Sequence, residues 1–356
     1  MKISKFFYRF TLFCLSLVLA VSCNSKSEIA SVPETSREPA PQENEHPIIM
    51  GCSHWSGWWH WAIAEKEGLF EKNGVNVDLR WFDSYASSLE GLAYGQLDAN
   101  CQRLNDTISF ATNATNGEVI VLVNDHSVGN DQIIARKGIE TLFDLKGKEV
   151  GVEAGLVSDF LLSLALEEVG MSRDDVKIID LETSDAAQAF FAERLDAVGT
   201  FPPFLLKALE RQGSHELINS AAFPGAIPSL LVTTQTLVDE HPTKVQGLVN
   251  TWFDVLRFIE NNPIRANEIL AEKANITIEE LQRFKQGTKI LTLEENLAAF
   301  REGSSMKHLP YATETIAELM LDVDFISEKP DFNQIFDDSF VRKYRVVHQL
   351  RRNLSD

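Results

Sequence analysis

The feature that most constrains this chain is an alternation of two periodicities that begins at residue 47. PIIMGCS (47–53) reads as a strand, and WHWAIAEKEGLFEKNG as a helix ending in a turn. VNVDLRWF (75–82) alternates like a strand, SYASSLEGLAYGQ (84–96) sets Leu89 and Leu92 on one helical face, and LDANCQ is a third short strand. NDTISFATNAT is helical again, and VIVLVND (119–125) has the continuous apolar pattern of a buried strand. Strands alternating with helices predict parallel sheets covered by helices on both faces.

The alternation restarts after Asp125. KEVGVEAG (148–155), VKIIDL (176–181) and AVGTF (197–201) read as strands, separated by the helical SDFLLSLALEEVG (158–170) and SDAAQAFFAERL. From about Pro242 the pattern is almost wholly helical, through HPTKVQGLVNTWFDVLRFIENNP (241–263), IEELQRFKQG and LEENLAAFREGS. The expected fold class is α/β, with two doubly wound lobes and a ligand cleft between them. Residues 47–125 form the first part of lobe I and 126–224 form lobe II; the mainly helical 225–345 returns to lobe I, leaving 346–356 as a C-terminal tail. Open sheets bind ligands beyond the carboxyl ends of their strands. Two facing lobes set two such edges across one cleft, which closure can shut.

Ahead of that region the chain reads differently. MKISKFFYRF, with Lys2, Lys5 and Arg9, precedes the apolar TLFCLSLVLA. The run is too short to span a bilayer comfortably and reads as a secretory signal. LAVSC, ending in Cys23, resembles a bacterial lipobox. That resemblance implies a lipoprotein signal peptide over 1–22, lipidation of Cys23, and a chain anchored at the periplasmic face of the cell membrane. The segment 23–46 is rich in Ser, Pro and Glu and poor in large apolar residues, so it reads as a disordered tether.

The formal net charge of −19 argues against nucleic acid as a partner and suits capture of a cation. Outside the leader and its cleavage site the cysteines are Cys52 and Cys101. Two cysteines make neither a disulfide framework nor a zinc site; a single bridge between them stays open in an oxidising compartment. His54 and His60 lie off any common helical ligand face, so no metal is expected, and no cofactor. The chain carries no G-x-x-x-x-G-K-[ST], G-x-S-x-G or H-E-x-x-H motif, and it is not expected to be an enzyme.

Four of the six tryptophans fall in SHWSGWWHW (53–61). Trp59 shares a helical stripe with Ala62 and Ile63, so it and Trp61 are expected in the core. Trp55 and Trp58 flank Gly57 just past the first strand, where the cleft is expected. There an indole face would attract a flat cation by roughly 0.5–2 kcal/mol. Asp106 follows the third strand at the start of a helix; it either caps that helix or faces the cleft, where a carboxylate pairs with a guanidinium-type fork. Asp83 follows the second strand, and Glu153 ends a strand at the second lobe's edge. The candidate ligand-binding set is therefore Trp55, Trp58, Asp83, Asp106 and Glu153. Asp98 is expected to be structural, and Thr200, Phe201 and Pro202 to line the cleft. Ser158, at a helix N-terminus, would suit an anion, but Asp159 beside it would repel one.

AIAEKEGLFEKNGVNVDL (62–79), SLEGLAYGQLDA (88–99), DLKGKEVGVEAG (144–155) and LVDEHPTKVQGLVNTWFDVLRFIENNP (237–263) occur in an order that resembles the substrate-binding proteins of ABC importers, in the nitrate/sulfonate/taurine branch. The resemblance covers nearly all of 47–345. It implies the bilobal periplasmic-binding-protein fold (type II), a monomer, and permease and ATPase subunits as partners. Trp55-Ser56-Gly57-Trp58, Trp81-Phe82-Asp83-Ser84-Tyr85 and Asn105-Asp106 are similar to a sub-branch associated with guanidine-degrading and urea-carboxylase-type enzymes, with Asn where that sub-branch has Gly before the Asp. It implies a small planar nitrogenous cation, guanidinium first, or urea. The alternatives are an oxyanion such as nitrate, a sulfonate or taurine, or a thiamine pyrimidine precursor. Thiamine-pyrimidine synthases resemble the same family but carry a Cys-rich motif that this chain lacks.

Overall fold

The computed structural model describes residues 46–355. The expected signal peptide, Cys23 and all of the tether before His46 lie outside them. The first wave of elements follows the sequence pattern closely. β1 (Ile48–Cys52) leads through a single 3-10 turn into α1 (Trp61–Lys66). The helix read as continuous breaks at Gly68, whose φ of 63° favours glycine, and restarts as α2 (Leu69–Lys72). Then come β2 (Val77–Trp81), α3 (Tyr85–Ala93), β3 (Ala99–Arg103), α4 (Leu104–Ala111) and β4 (Val119–Ser127).

The second wave is β5 (Gln132–Ala135), β6 (Glu149–Val152), α5 (Val157–Glu168), β7 (Lys177–Asp180), α6 (Thr183–Phe191), β8 (Ala197–Thr200), α7 (Leu205–Leu209) and β9 (His215–Asn219). The chain returns through β10 (Pro228–Thr233), α8 (Gln235–Glu240), α9 (Pro242–Asn261), α10 (Pro263–Ala274) and α11 (Ile278–Gln286). It ends with β11 (Thr288–Ile290), α12 (Leu293–Ala299), α13 (Leu309–Asp322) and α14 (Ser339–Ser355).

The strands form two sheets, ordered β11-β4-β10-β3-β1-β2 and β7-β6-β8-β5-β9. β1 runs parallel to β2 and β3, and β6 parallel to β7 and β8. Neither sheet is wholly parallel, which corrects the expectation from the alternating pattern. β10 lies antiparallel between β3 and β4, β11 is antiparallel to β4, and β5 is antiparallel to β8 and β9. The reason lies in how β5 and β10 arrive. Each enters its sheet directly from the other sheet, without the helical crossover that brings successive strands in parallel.

The two passages between sheets run side by side. Ser127 and Ser220 share a hydroxyl contact at 2.7 Å, Gly129 N–H donates to Ser220 Oγ at 2.7 Å, and Ser220 N–H donates to the Asp131 carbonyl at 2.9 Å. Packing beneath the first sheet is aromatic. Trp61 stacks on Phe70 at 5.9 Å between ring centroids and meets Trp252 of α9 at 5.0 Å, while Trp59 meets Phe284 of α11 edge-on at 6.4 Å. Both indoles are fully buried, as their helical stripe predicts. Large apolar side chains contribute about 1.5–3 kcal/mol each on full burial, before the entropy of ordering them. The Trp-rich segment thus ties β1 to the late helices.

Candidate functional site

Five parallel strands end around one cavity. From the first sheet come His54 after β1, and Asp83, Ser84 and Tyr85 after β2; from the second come Glu153 after β6, Glu182, Thr183 and Ser184 after β7, and Phe201 and Phe204 after β8. This is the carboxyl edge where open α/β sheets place ligands. The cavity is only about 10 Å³, the room of one water. The carboxyl edges of the two sheets lie close together here.

The cavity walls are aromatic and acidic. Phe201 and Phe204 meet edge-on at 5.8 Å, and His54 meets Phe204 at 5.6 Å. Three carboxylates, Asp83, Glu153 and Glu182, line it, and no lysine or arginine does. Glu153 accepts from Thr183 Oγ1 at 3.0 Å, while its other oxygen is buried without a hydrogen-bond partner. The Ala86 N–H, in the first turn of α3, faces this carboxylate from the opposite sheet and favours its charge. Burial nonetheless dominates and pushes the Glu153 carboxyl up to about 7, helped by Glu182 and Asp180 nearby.

Behind the cavity sits a second layer. Tyr85 OH donates to Asp106 Oδ2 at 2.6 Å and accepts from Arg103 N–H at 2.8 Å, while Asn105 Nδ2 donates to Asp106 Oδ1 at 2.6 Å. Asp106 is fully buried, and burial raises its carboxyl to about 8 despite these donors and the nearby Arg103.

The tryptophans flanking Gly57 are already engaged with a guanidinium, that of Arg103. Its Cζ lies 3.7 Å from the Trp55 ring centroid and 5.5 Å from that of Trp58. The same guanidinium donates to Ser229 Oγ at 2.6 Å and to Asp131 Oδ2 at 3.3 Å. Asp125 Oδ1 accepts from Trp55 Nε1 at 3.0 Å and from Ser229 Oγ at 2.9 Å. Burial raises the Asp125 carboxyl to about 6 against the pull of Arg103. Arg103 thus grips Asp131 on the outgoing passage between sheets and Ser229 on the returning strand.

Of the residues singled out from sequence, the structure brings Asp83 and Glu153 to the cavity. Asp83 is solvent-exposed there, 3.3 Å from His54 Nε2. Trp55, Trp58 and Asp106 lie one layer deeper. Trp55 backs Phe201 at 6.1 Å, Trp58 backs Tyr85 at 5.6 Å, and Asp106 holds the Tyr85 hydroxyl. Asp106 is not a helix cap: α4 begins at Leu104, and Asp106 sits within its first turn. Asp98 is structural, accepting from Ile49 N–H at 2.8 Å. Phe201 lines the cavity, as its place after a strand suggests. Tyr85, Glu182 and Thr183 join the lining beyond the residues singled out from sequence, and they share the same position past a strand. Arg103 and Asp125 were missed altogether. For Asp125 the signal is a charge closing the apolar run of VIVLVND; Arg103, at the end of the polar ANCQR, has no comparable signal.

Residues 41–273 match the sequence pattern of the NMT1-like family. A putative binding protein of Brucella abortus is 33% identical over 247 residues, covering 68% of this chain and 76% of that protein. A putative aliphatic sulfonates-binding protein of Bacillus subtilis is 26% identical over 310 residues, covering 86% and 87%. Among solved structures, the alkanesulfonate-binding protein of Xanthomonas axonopodis pv. citri bound to MOPS superposes with a TM-score of 0.68 at 16% identity, covering 82% of this chain and 97% of that one. The superposition shows the bilobal α/β fold of periplasmic binding proteins, with one sheet in each lobe. By the match over 41–273 and the likeness to the Brucella protein, this chain belongs to the NMT1-like family.

Proposed function

We propose that this protein is the substrate-binding component of an ABC importer, acting in the periplasm without chemistry of its own, and that its cleft takes a small planar cation rich in N–H donors, guanidinium first. The observation that carries the ligand class is the cavity's charge: three carboxylates, with no lysine or arginine and with His54 as the one imidazole. Glu153 has a buried oxygen free to accept, and a guanidinium fork matches a carboxylate in two parallel bonds. Tyr85, Phe201 and Phe204 supply the aromatic wall. In this reading Trp55 and Trp58 hold the wall from behind, and Asp106 fixes the Tyr85 hydroxyl. Closure joins Glu153 of one lobe to the first turn of α3 in the other, and the permease reads the closed form.

A second reading has its own support. The N-terminal turns of α3 and α6 both meet the cavity, at Ser84–Tyr85 and Thr183–Ser184, and helix N-termini favour anions. Relatives described as sulfonate-binding fit this alternative. Calorimetric titration of the protein with guanidinium, urea, nitrate and taurine separates the two. Saturable guanidinium binding that Glu153→Gln weakens at least tenfold is the expected result. Binding of taurine or nitrate with none of guanidinium would overturn the cation reading and leave the importer role standing.

A further inference from the structure

Cys52 and Cys101 lie side by side under the site. β1 and β3 are parallel neighbours, with Met50 opposite Ala99 and Gly51 opposite Asn100, so the next residues along, Cys52 and Cys101, face each other at the strands' carboxyl ends. Their sulfurs are 3.2 Å apart and both side chains are fully buried. A disulfide needs about 2.05 Å between sulfurs and Cα atoms within roughly 4.4–6.8 Å, a spacing that adjacent strands supply without moving the backbone. Paired cysteines of this kind are not needed for packing, where one small apolar residue at each position would serve.

We infer that Cys52 and Cys101 form a structural disulfide when the protein matures in an oxidising compartment, locking together the two strands that deliver the site. β1 runs into His54 and Trp55, and β3 ends at Arg103, three residues before Asp106. A bond at this point fixes the spacing between the Trp55–Arg103 stack and the Tyr85–Asp106 pair. The chemistry is thiol–disulfide exchange with an oxidase that carries a reactive disulfide. One cysteine, as thiolate, attacks that disulfide to give a mixed disulfide. The second, also as thiolate, displaces the oxidase's remaining sulfur. The chain loses two protons and two electrons, and the oxidase leaves as a dithiol. Burial and the adjacent sulfur push the Cys101 thiol well up, so the reactive thiolate is scarce in the folded sheet. The exchange therefore belongs to the chain before the sheet closes, and the finished bond resists reductant until the protein opens. The inference does not depend on which ligand the cleft takes.

The test is peptide mapping of the full chain exported to an oxidising compartment. The protein is unfolded in urea with iodoacetamide and no reductant, then digested. The expected result is a linked peptide pair joining Cys52 to Cys101, with neither residue alkylated. A thermal scan after unfolding and refolding with reductant is expected to melt roughly 5–10 °C lower than the untreated protein. The Cys52→Ala/Cys101→Ala variant is expected to melt at one temperature under both treatments. Alkylation of both cysteines in the exported protein would overturn the inference. So would a bond from either one to another partner, or equal melting of the reduced and untreated wild type.

Discussion

Gly57 is small because its surroundings leave no room for a methyl group. A Cβ there would collide with the Asp125 carboxylate and press on Trp55 Nε1, the two groups whose hydrogen bond anchors the Trp55 ring. Gly57→Ala is expected to cost about 1–3 kcal/mol, the usual penalty for overpacking, and urea unfolding followed by circular dichroism measures it. Arg103 is held more firmly still, since it is buried against Trp55, Ser229 and Asp131. Removing one partner of a buried ion pair costs roughly 3–5 kcal/mol because the other charge is stranded. Arg103→Ala is expected in that range. Arg103→Lys should recover only part, because an ammonium cannot lie flat on an indole while reaching two acceptors. The same unfolding experiment ranks the three proteins, and equal stability of Arg103→Ala and wild type would remove Arg103 from this role. The residues W-x-G-W were legible in the sequence as a special segment, and their chemistry as cation stacking. What the sequence hid is that the stacked cation is supplied by the chain itself, from a strand 48 residues onward. Local spacing carries no information about such a contact.

At the scale of elements, the strands carried by a clear apolar or alternating run were legible. β1, β2, β3, β4, β6, β7 and β8 all overlap runs read from the sequence. β5 and β10 enter from the other sheet with no α-helix before them, and QIIA is four residues long; β9, although α7 precedes it, is HELIN, which alternates only weakly. Those three strands flank the passages between sheets, so the part the sequence hid is the pair of connections between them. Its geometry explains why Ser220 matters. Ser220 Oγ accepts from Gly129 N–H and meets Ser127 Oγ, pinning one passage to the other. Ser220→Ala would leave the Gly129 N–H and the Ser127 hydroxyl short of a partner, at about 1–3 kcal/mol. Hydrogen exchange at the Gly129 amide is expected to speed up at least tenfold, while amides within β3 and β4 keep their wild-type rates. Acceleration spread evenly over both sheets would mean global destabilisation and not a loosened contact between the passages.

At the scale of the whole molecule, burial of carboxyl groups on folding stores protons. Glu153 is raised to about 7, Asp106 to about 8, and Glu118, remote from the cavity and paired with Gln102, to about 8, in each case mainly by burial. A carboxyl whose pKa rises on folding binds more protons folded than unfolded between the two values, so stability falls as pH climbs through that window. The buried His60 and the half-buried His126, both lowered to about 4, act oppositely, but their contribution is nearly complete about one unit above the ordinary histidine value near 6.5. Between about pH 7.5 and 8.5 only the carboxyls remain to set the slope, and thermal stability is expected to decline across it. A cation bound at Glu153 takes the place of its proton. Guanidinium affinity should therefore weaken below pH 7, approaching tenfold per pH unit if one proton is displaced, and saturating guanidinium should remove Glu153's share of the stability decline, which lies between its ordinary carboxyl value and about pH 7. Glu153→Gln keeps Asp106 and Glu118 but removes the proton that the ligand displaces. It should leave part of the stability slope and abolish the pH dependence of binding. An oxyanion would behave in the opposite sense, binding more tightly as the pH falls and Glu153 becomes neutral. Titrations at pH 5.5, 7 and 8.5 with each ligand class, on wild type and Glu153→Gln, thus read the sign of the cleft's charge directly. Guanidinium affinity that is flat or rises toward acid would break the link between the acidic cavity and its cargo.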